Sequence, residues 1–205
     1  AVEAVVSMQT GTPVFKSDQL AGAAWTQATK AAEQWNRPGV FTTLHGFEWT
    51  SAPGANNLHR TVIFRDNAER VNQVLPFSAF DSSDPARLWE YMDGYTRKTG
   101  GKVLAIPHNG NLSNGMMYSA ETFDGKPMDR AYAEARASHE PLFEATQIKG
   151  DGETHPFLSP NDEFANFERW DKGNLDGSVA KTQDMLQFEY ARSCLKLGLK
   201  LEQEL

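Results

Sequence analysis

The stretch Pro85-Ala86-Arg87-Leu88-Trp89-Glu90-Tyr91-Met92-Asp93-Gly94-Tyr95-Thr96-Arg97-Lys98, followed by Thr99-Gly100-Gly101-Lys102 and then Val103-Leu104-Ala105-Ile106, decides the fold class. Its first part predicts a helix over Pro85 to Lys98. Ser82, Ser83 or Asp84 supplies a cap, Pro85 suits the first turn, and Leu88, Trp89, Tyr91, Met92 and Tyr95 make the apolar face. Gly100-Gly101 stops it, and Val103 to Ile106 is a short, fully apolar strand. A helix followed at once by a buried strand points to an α/β domain.

Upstream, Leu20 to Trp35 is alanine-rich with Trp25 and Trp35 at helical spacing, and Asn36-Arg37-Pro38-Gly39 ends it. Val40 to Trp49 reads as a strand, Thr50 to Asn57 as a turn-rich loop, and His59 to Phe64 as a second strand. Downstream, a loop from His108 to about Pro127 leads to a helix near Met128 to Ser138. Phe143 to Ile148 is a fourth strand, Asn161 to Trp170 a helix, and Gly177 to Leu201 the longest helix. The first 18 or so residues form an irregular lead-in, and no internal repeat or second domain is visible.

The chain has 205 residues, enough for one domain with a sizeable core. Its 20 Lys and Arg against 27 Asp and Glu give a net charge of −7, which disfavours nucleic acid or an anionic membrane as partner and favours a small molecule. No apolar run reaches the length of a membrane span. The single cysteine, Cys194, excludes a disulfide framework and a thiolate-rich zinc site. The chain opens Ala1-Val2-Glu3 without methionine and ends Leu201-Glu202-Gln203-Glu204-Leu205 on a helical pattern without a cap. These ends lead us to expect a piece of a longer protein.

Three places could carry chemistry. If the first two strands form a hairpin, Glu48 ends one and His59 begins the other, so both reach one rim. Carboxylate and imidazole there suit Zn²⁺, Mn²⁺ or Fe²⁺; otherwise they are a surface glutamate and a loop histidine that never meet. In Ile106-Pro107-His108-Asn109-Gly110-Asn111 an apolar strand delivers a histidine to a loop, where α/β proteins build active sites. Asn109 and Asn111 are placed to orient its second ring nitrogen, though His108 could equally be a turn residue. The third place follows the Phe143 strand: Glu144, Gln147, Lys149, Asp151, Glu153 and His155 make either a substrate-facing loop or a solvated turn, with Lys149 a candidate anion clamp. His45 is expected to make a core or interstrand hydrogen bond, and His139 to sit at an exposed helix end. No G-x-S-x-G, P-loop or G-x-G-x-x-G motif is present.

Gly46-Phe47-Glu48-Trp49-Thr50-Ser51, Asn56-Asn57-Leu58-His59-Arg60 and the segment from Ile106 to Gly115 together resemble the DUF3604 family. So do Gln147-Ile148-Lys149-Gly150-Asp151-Gly152-Glu153-Thr154-His155-Pro156 and Leu158-Ser159-Pro160, and the likeness runs from about Ala24 to Leu205. That family is similar to the PHP (polymerase and histidinol phosphatase) superfamily of metal-dependent phosphoesterases. The resemblance implies a partial distorted β/α barrel, of four or more strands with flanking helices. It also implies divalent metal ions at the strand ends, with Glu48 as a bridging ligand and His59 and His108 as further ligands. The early His-x-His, a further histidine after the second strand, and the late Asp-x-His of PHP sites are absent from this sequence, so the resemblance implies the middle of such a barrel.

The function this implies is a metal-dependent hydrolase of phosphate or similar esters, incomplete in this chain. Glu48, His108 and Lys149 are the candidate catalytic residues. Asn109, Asn111, Lys149, Asp151 and His155 form the candidate substrate-facing set. Two other readings remain open at this point: a non-catalytic scaffold or small-molecule binder with a degenerate metal site, and a carbohydrate-active enzyme pairing Glu48 with Asp151.

Overall fold

The computed structural model describes residues 18–205. Helix α1 (Asp18–Trp35) leads to strand β1 (His45–Trp49), which is followed by β2 (Arg60–Phe64) and a short helix α2 (Ala68–Val71). Helix α3 (Pro85–Thr99) precedes β3 (Val103–Pro107), and α4 (Arg130–His139) follows it. The two-residue strands β4 (Thr146–Gln147) and β5 (Gly150–Asp151) come next, and α5 (Ala191–Glu204) is last.

Strands β1, β2 and β3 form one antiparallel sheet in that order, with β2 in the middle. The register sets Glu48 opposite Thr61, and Thr61 opposite Ile106. Successive side chains on a strand point to opposite faces. One face of the sheet therefore presents Val62, Phe64 and Ala105, all fully buried, to the helices. Helix α3 meets this face with Leu88, Trp89, Met92 and Tyr95, spaced at helical intervals and all buried. Trp25 of α1 closes the same core beside Phe47 and Phe64, at ring separations of 6.1 and 6.2 Å.

Local chemistry explains the ends of α3. The Asp84 side chain accepts from the Ala86 N–H at 2.9 Å, Pro85 occupies the first turn, and Gly100 ends the helix at φ 67°. Gly46 is fixed by crowding: a Cβ there would lie 2.5 Å from the Val62 carbonyl oxygen of the neighbouring strand.

The expected β/α barrel is not what the chain forms. A barrel of that kind needs parallel strands joined by crossovers, whereas every strand pair here is antiparallel. Among the described residues β1 and β3 are left as edges, and β4 and β5 pair only with each other, so no barrel closes. The protein is a mixed α/β structure with a three-stranded and a two-stranded antiparallel sheet.

Several element boundaries differ as well. The first strand starts at His45 rather than Val40; among the described residues no strand lies beyond that edge, Val40 and Leu44 are exposed, and a single bridge joins Arg37 to Phe41. The segment Phe143 to Ile148 contributes only the two residues of β4 to a hairpin. Asn161 to Trp170 is not helical: the Asp162 carboxylate accepts from the Phe164 N–H, and Glu168 takes φ 41°. The last helix begins at Ala191, because Gly177 turns at φ 72° and the segment behind it is drawn inward through Lys181. The longest described helix is α1, and the lead-in before Asp18 lies outside the described residues.

Asp66 ties β2 to the helical layer. Its carboxylate accepts from Arg70 Nη1 at 2.9 Å, Tyr95 OH at 2.9 Å and the Lys102 N–H at 2.7 Å. Burial raises its pKa, but these hydrogen bonds outweigh that and hold the carboxyl below its ordinary 3.8. We expect Asp66→Asn to cost about 2 kcal/mol, from the loss of charge-assisted hydrogen bonds in a buried setting. Because the native pKa is depressed, the wild-type advantage is fully present above pH 3.8 and disappears as pH falls through the lower native value. Denaturant unfolding of both proteins across that range measures it; a pH-independent difference would contradict the assignment.

Candidate functional site

The site lies on the sheet face opposite the core, at one end. His59 precedes Thr61 by two residues, and His108 follows Ile106 by two, so alternation sends both to the Glu48 face. The ladder between β2 and β3 continues one step past the strands, with the His108 N–H donating to the His59 carbonyl at 3.0 Å. The buried Asn57 clamps this end. Its Nδ2 donates to the carbonyls of His108 (2.6 Å) and Asn109 (2.9 Å), while its N–H donates to Leu112.

The result is a compact group of ionisable side chains. His59 Nδ1 stands 2.9 Å from Glu48 Oε1, and His108 Nε2 is 3.8 Å from the same oxygen. The two imidazole rings are 6.5 Å apart at a 30° tilt. Behind His108, its Nδ1 bonds to Glu144 Oε1 at 2.8 Å, and the Asn109 N–H donates to Glu144 Oε2 at 2.8 Å. With the carboxylate as acceptor, Nδ1 carries a proton, and Nε2 is the ring nitrogen that faces Glu48. Lys149, at the tip of the β4–β5 hairpin, is exposed and makes no hydrogen bond or ion pair through its ammonium among the described residues; its charge is felt by both His59 and Glu144.

Electrostatics follow from burial. Desolvation lowers the His59 pKa below 6.5, against the pull of the Glu48 hydrogen bond. The ring is therefore neutral at neutral pH, the form in which an imidazole binds a metal. Burial raises the Glu144 carboxyl, but the bonds from His108 and Asn109 prevail and hold it below its ordinary value. It stays ionised behind His108.

The donor set of one carboxylate and two imidazoles fits a divalent cation in kind. As they stand, no group of three or more His, Cys, Asp and Glu side chains among the described residues is arranged to hold a metal ion. The Glu48 oxygen nearest the imidazoles is engaged with His59. Glu48 is 45% exposed, so its carboxylate can exchange that bond without moving the backbone.

Of the residues singled out in the sequence, Glu48, His59 and His108 come together and Lys149 stands beside them. The orienting role expected of Asn109 and Asn111 side chains falls instead to Glu144, with Asn109 helping through its backbone N–H. Asn111 is buried; its side chain donates to the Lys149 carbonyl and its own carbonyl accepts from Lys181. Asp151 is buried in its own loop, accepting from the Glu153 and Thr154 N–H groups, and makes no bond to Glu48 among the described residues. His155 is also buried, with Nδ1 accepting from the Phe157 N–H and Nε2 facing Asp171 at 3.0 Å. His45 is buried against Glu33, while His139 is partly covered, facing Asp93 and stacked on Trp89. Sequence reading passed over Glu144 as an orienting group because its partner is 36 residues away. A carboxylate opening the strand after the His108 loop was the only available signal.

The chain is thus a mixed α/β protein that carries a carboxylate–imidazole cluster at one end of a small antiparallel sheet. A family model described as "Protein of unknown function (DUF3604)" matches residues 3–205, and the chain belongs to that family. Comparison with curated proteins and with solved structures finds no match.

The geometry predicts one tautomer for His108. In ¹⁵N spectra of the metal-free protein near neutral pH, His108 should show the Nδ1–H form. Glu144→Ala should shift it toward the mixture of an unconstrained imidazole. A mixed or Nε2–H signal in the wild type would contradict the role given to Glu144.

Proposed function

We propose that this chain carries part of the site of a metal-dependent hydrolase acting on phosphate or similar esters, in keeping with kinship to the PHP superfamily. The observation that supports it is the convergence of Glu48, His59 and His108, with the ionised Glu144 fixing the His108 ring from behind. Such carboxylate–histidine pairs are the usual support of metal-bound imidazoles. Glu48, His59 and His108 would hold the ion. When bound, a divalent Zn, Mn or Fe ion supplies Lewis acidity and brings the pKa of a coordinated water toward neutrality.

The chain's own residues do the rest. Burial keeps His59 neutral and able to donate its lone pair. Glu144 keeps the His108 proton on Nδ1 and so leaves Nε2 available. Lys149, exposed on the hairpin tip without an ionic partner among the described residues, meets an anionic substrate group approaching the cluster. The substrate is a small molecule, since the net charge of −7 disfavours polyanions.

The test is metal content by elemental mass spectrometry after loading with Zn²⁺ or Mn²⁺ and desalting. We expect about one ion per wild-type chain, and affinity weakened about 10- to 100-fold or more in His108→Ala and Glu48→Gln. Glu144→Gln should weaken it less than His108→Ala. No retained metal in the wild type, or equal retention in His108→Ala, would overturn the reading.

A further inference from the structure

Residues 179–190 pack against the turn that follows His108. Within them, Lys181 and Glu189 are sequestered, with side chains 4% and 0% exposed. Lys181 Nζ donates to the Asn111 carbonyl at 2.8 Å and to the two Glu189 carboxylate oxygens at 2.6 and 2.5 Å. Glu189 Oε1 also accepts from the Gly115 N–H at 3.1 Å, so the pair grips the turn both at Asn111 and at Gly115. The approach is close on either side of these points. A Cβ on Gly110 would lie 2.8 Å from the Glu189 carbonyl oxygen, and one on Gly115 would lie 3.2 Å from Met185 Cα.

Asn111 joins this grip to the hairpin that carries Lys149. It is 1% exposed and sits in the 3-10 turn Gly110–Leu112, directly after the His108-Asn109 step. While its carbonyl accepts from Lys181, its Nδ2 donates to the Lys149 carbonyl at 3.4 Å, and a Cβ on Gly150 would come within 3.0 Å of that same nitrogen. One residue thus meets Lys181 through its backbone and the hairpin through its side chain. A sequestered ion pair gains little net stability over apolar side chains of the same volume, and lysine is rarely buried. Apolar groups would fill the space without fixing the backbone of the turn. The Lys181 ammonium fixes it, because its three N–H groups are all engaged, one with the Asn111 carbonyl and two with Glu189.

We propose that Lys181, Glu189 and Asn111 form a strut of positioning residues that holds the His108 turn and the Lys149 hairpin in a fixed relation. None of the three bonds to Glu48, His59 or the His108 ring among the described residues, so they act through the chain that they hold. The consequence for the site rests on the metal reading: the strut sets where Lys149 stands relative to the three ligands, and so which anionic groups the cluster and Lys149 can reach together.

The experiment compares amide hydrogen exchange in the metal-free wild type, Lys181→Met, and the double variant Lys181→Met/Glu189→Leu. The single change leaves the Glu189 charge buried alone and should lower thermal stability. We expect its Asn109 and Gly115 amides to exchange at least about tenfold faster relative to those of the central strand β2, with the His108 ring ¹⁵N signals shifted. The double variant removes the lone charge. It should recover stability but neither the protection of those two amides nor the His108 signals, because nothing then grips Asn111 and Gly115. Asn111→Ala keeps its own carbonyl; it should shift the Lys149 and Gly150 amides, leave Gly115 as it is, and test the hairpin arm should the pair variants fail to fold. Zn²⁺ affinity, measured in parallel, should weaken about tenfold in the double variant. A wild type that retains no Zn²⁺ would sink the metal reading, while the exchange data still decide the strut. Four results would overturn the proposal: Asn109 and Gly115 exchange in Lys181→Met that follows β2, protection and His108 signals restored together with stability in the double variant, Zn²⁺ bound by the double variant as tightly as by a wild type that binds it, or unmoved hairpin amides in Asn111→Ala.

Discussion

The hydrogen bond from the His108 N–H to the His59 carbonyl extends the β2–β3 ladder one step beyond the sheet, and the site's geometry depends on it. Antiparallel pairing places directly opposed side chains on one face, and a slip of one residue in the β2–β3 pair would send His108 to the core side, away from Glu48 and His59. The register is secured from both sides. In the core, Val62, Phe64 and Ala105 must all face α3, which forbids a one-residue shift. At the open end, the Asn57 amide bonds two consecutive carbonyls, those of His108 and Asn109, so the loop leaves the strand in one direction. Asn109 then takes φ 56°, a left-handed conformation that asparagine tolerates better than most residues, and this turns its N–H toward Glu144.

Two buried ion pairs extend the frame outward from this end. Arg60 and Glu140 are both sequestered, joining β2 to the end of α4. Lys181 and Glu189, also sequestered, join the C-terminal segment to the Asn111 carbonyl, and Glu189 accepts from the Gly115 N–H as well. Burial pushes the Glu189 carboxyl up to about 7, with Lys181 pulling the other way. Breaking such a pair from one side leaves a buried charge uncompensated, so both pairs act as locks on position more than as sources of net stability. The Lys181 pair holds the loop that follows His108; the Arg60 pair holds the end of α4 against β2.

Much of this was legible locally. The α3 helix, its Asp84 and Gly100 ends, and the strand after it are written in capping residues and apolar spacing. The Glu48–His59 juxtaposition follows from a hairpin with a turn-rich loop, which short-range signals describe well. The segments after Asn109 were harder, because their order comes from Asx turns, single backbone bonds and distant partners rather than from a period. Asn161 to Trp170 shows an apolar spacing suited to a helix, yet Asp162 and the positive φ of Glu168 bend it into turns.

The α3–β3 unit, the hairpin that joins Glu48 to His59 and the acidic balance are readable from the chain without its fold, because each rests on neighbouring residues or on composition. Packing of the whole chain set the antiparallel order of the sheet, with β1 and β3 as its edges among the described residues, since strand direction depends on where the 38-residue connection between β2 and β3 returns. It also decided that Glu144, not Asn109 or Asn111, orients His108, that Asp151 and His155 serve their own loops, and that Lys181 reaches the Asn111 carbonyl. Those pairings span many residues of chain. Which side chain reaches which is set by packing of the whole, where burial selects the partner that best satisfies each polar group.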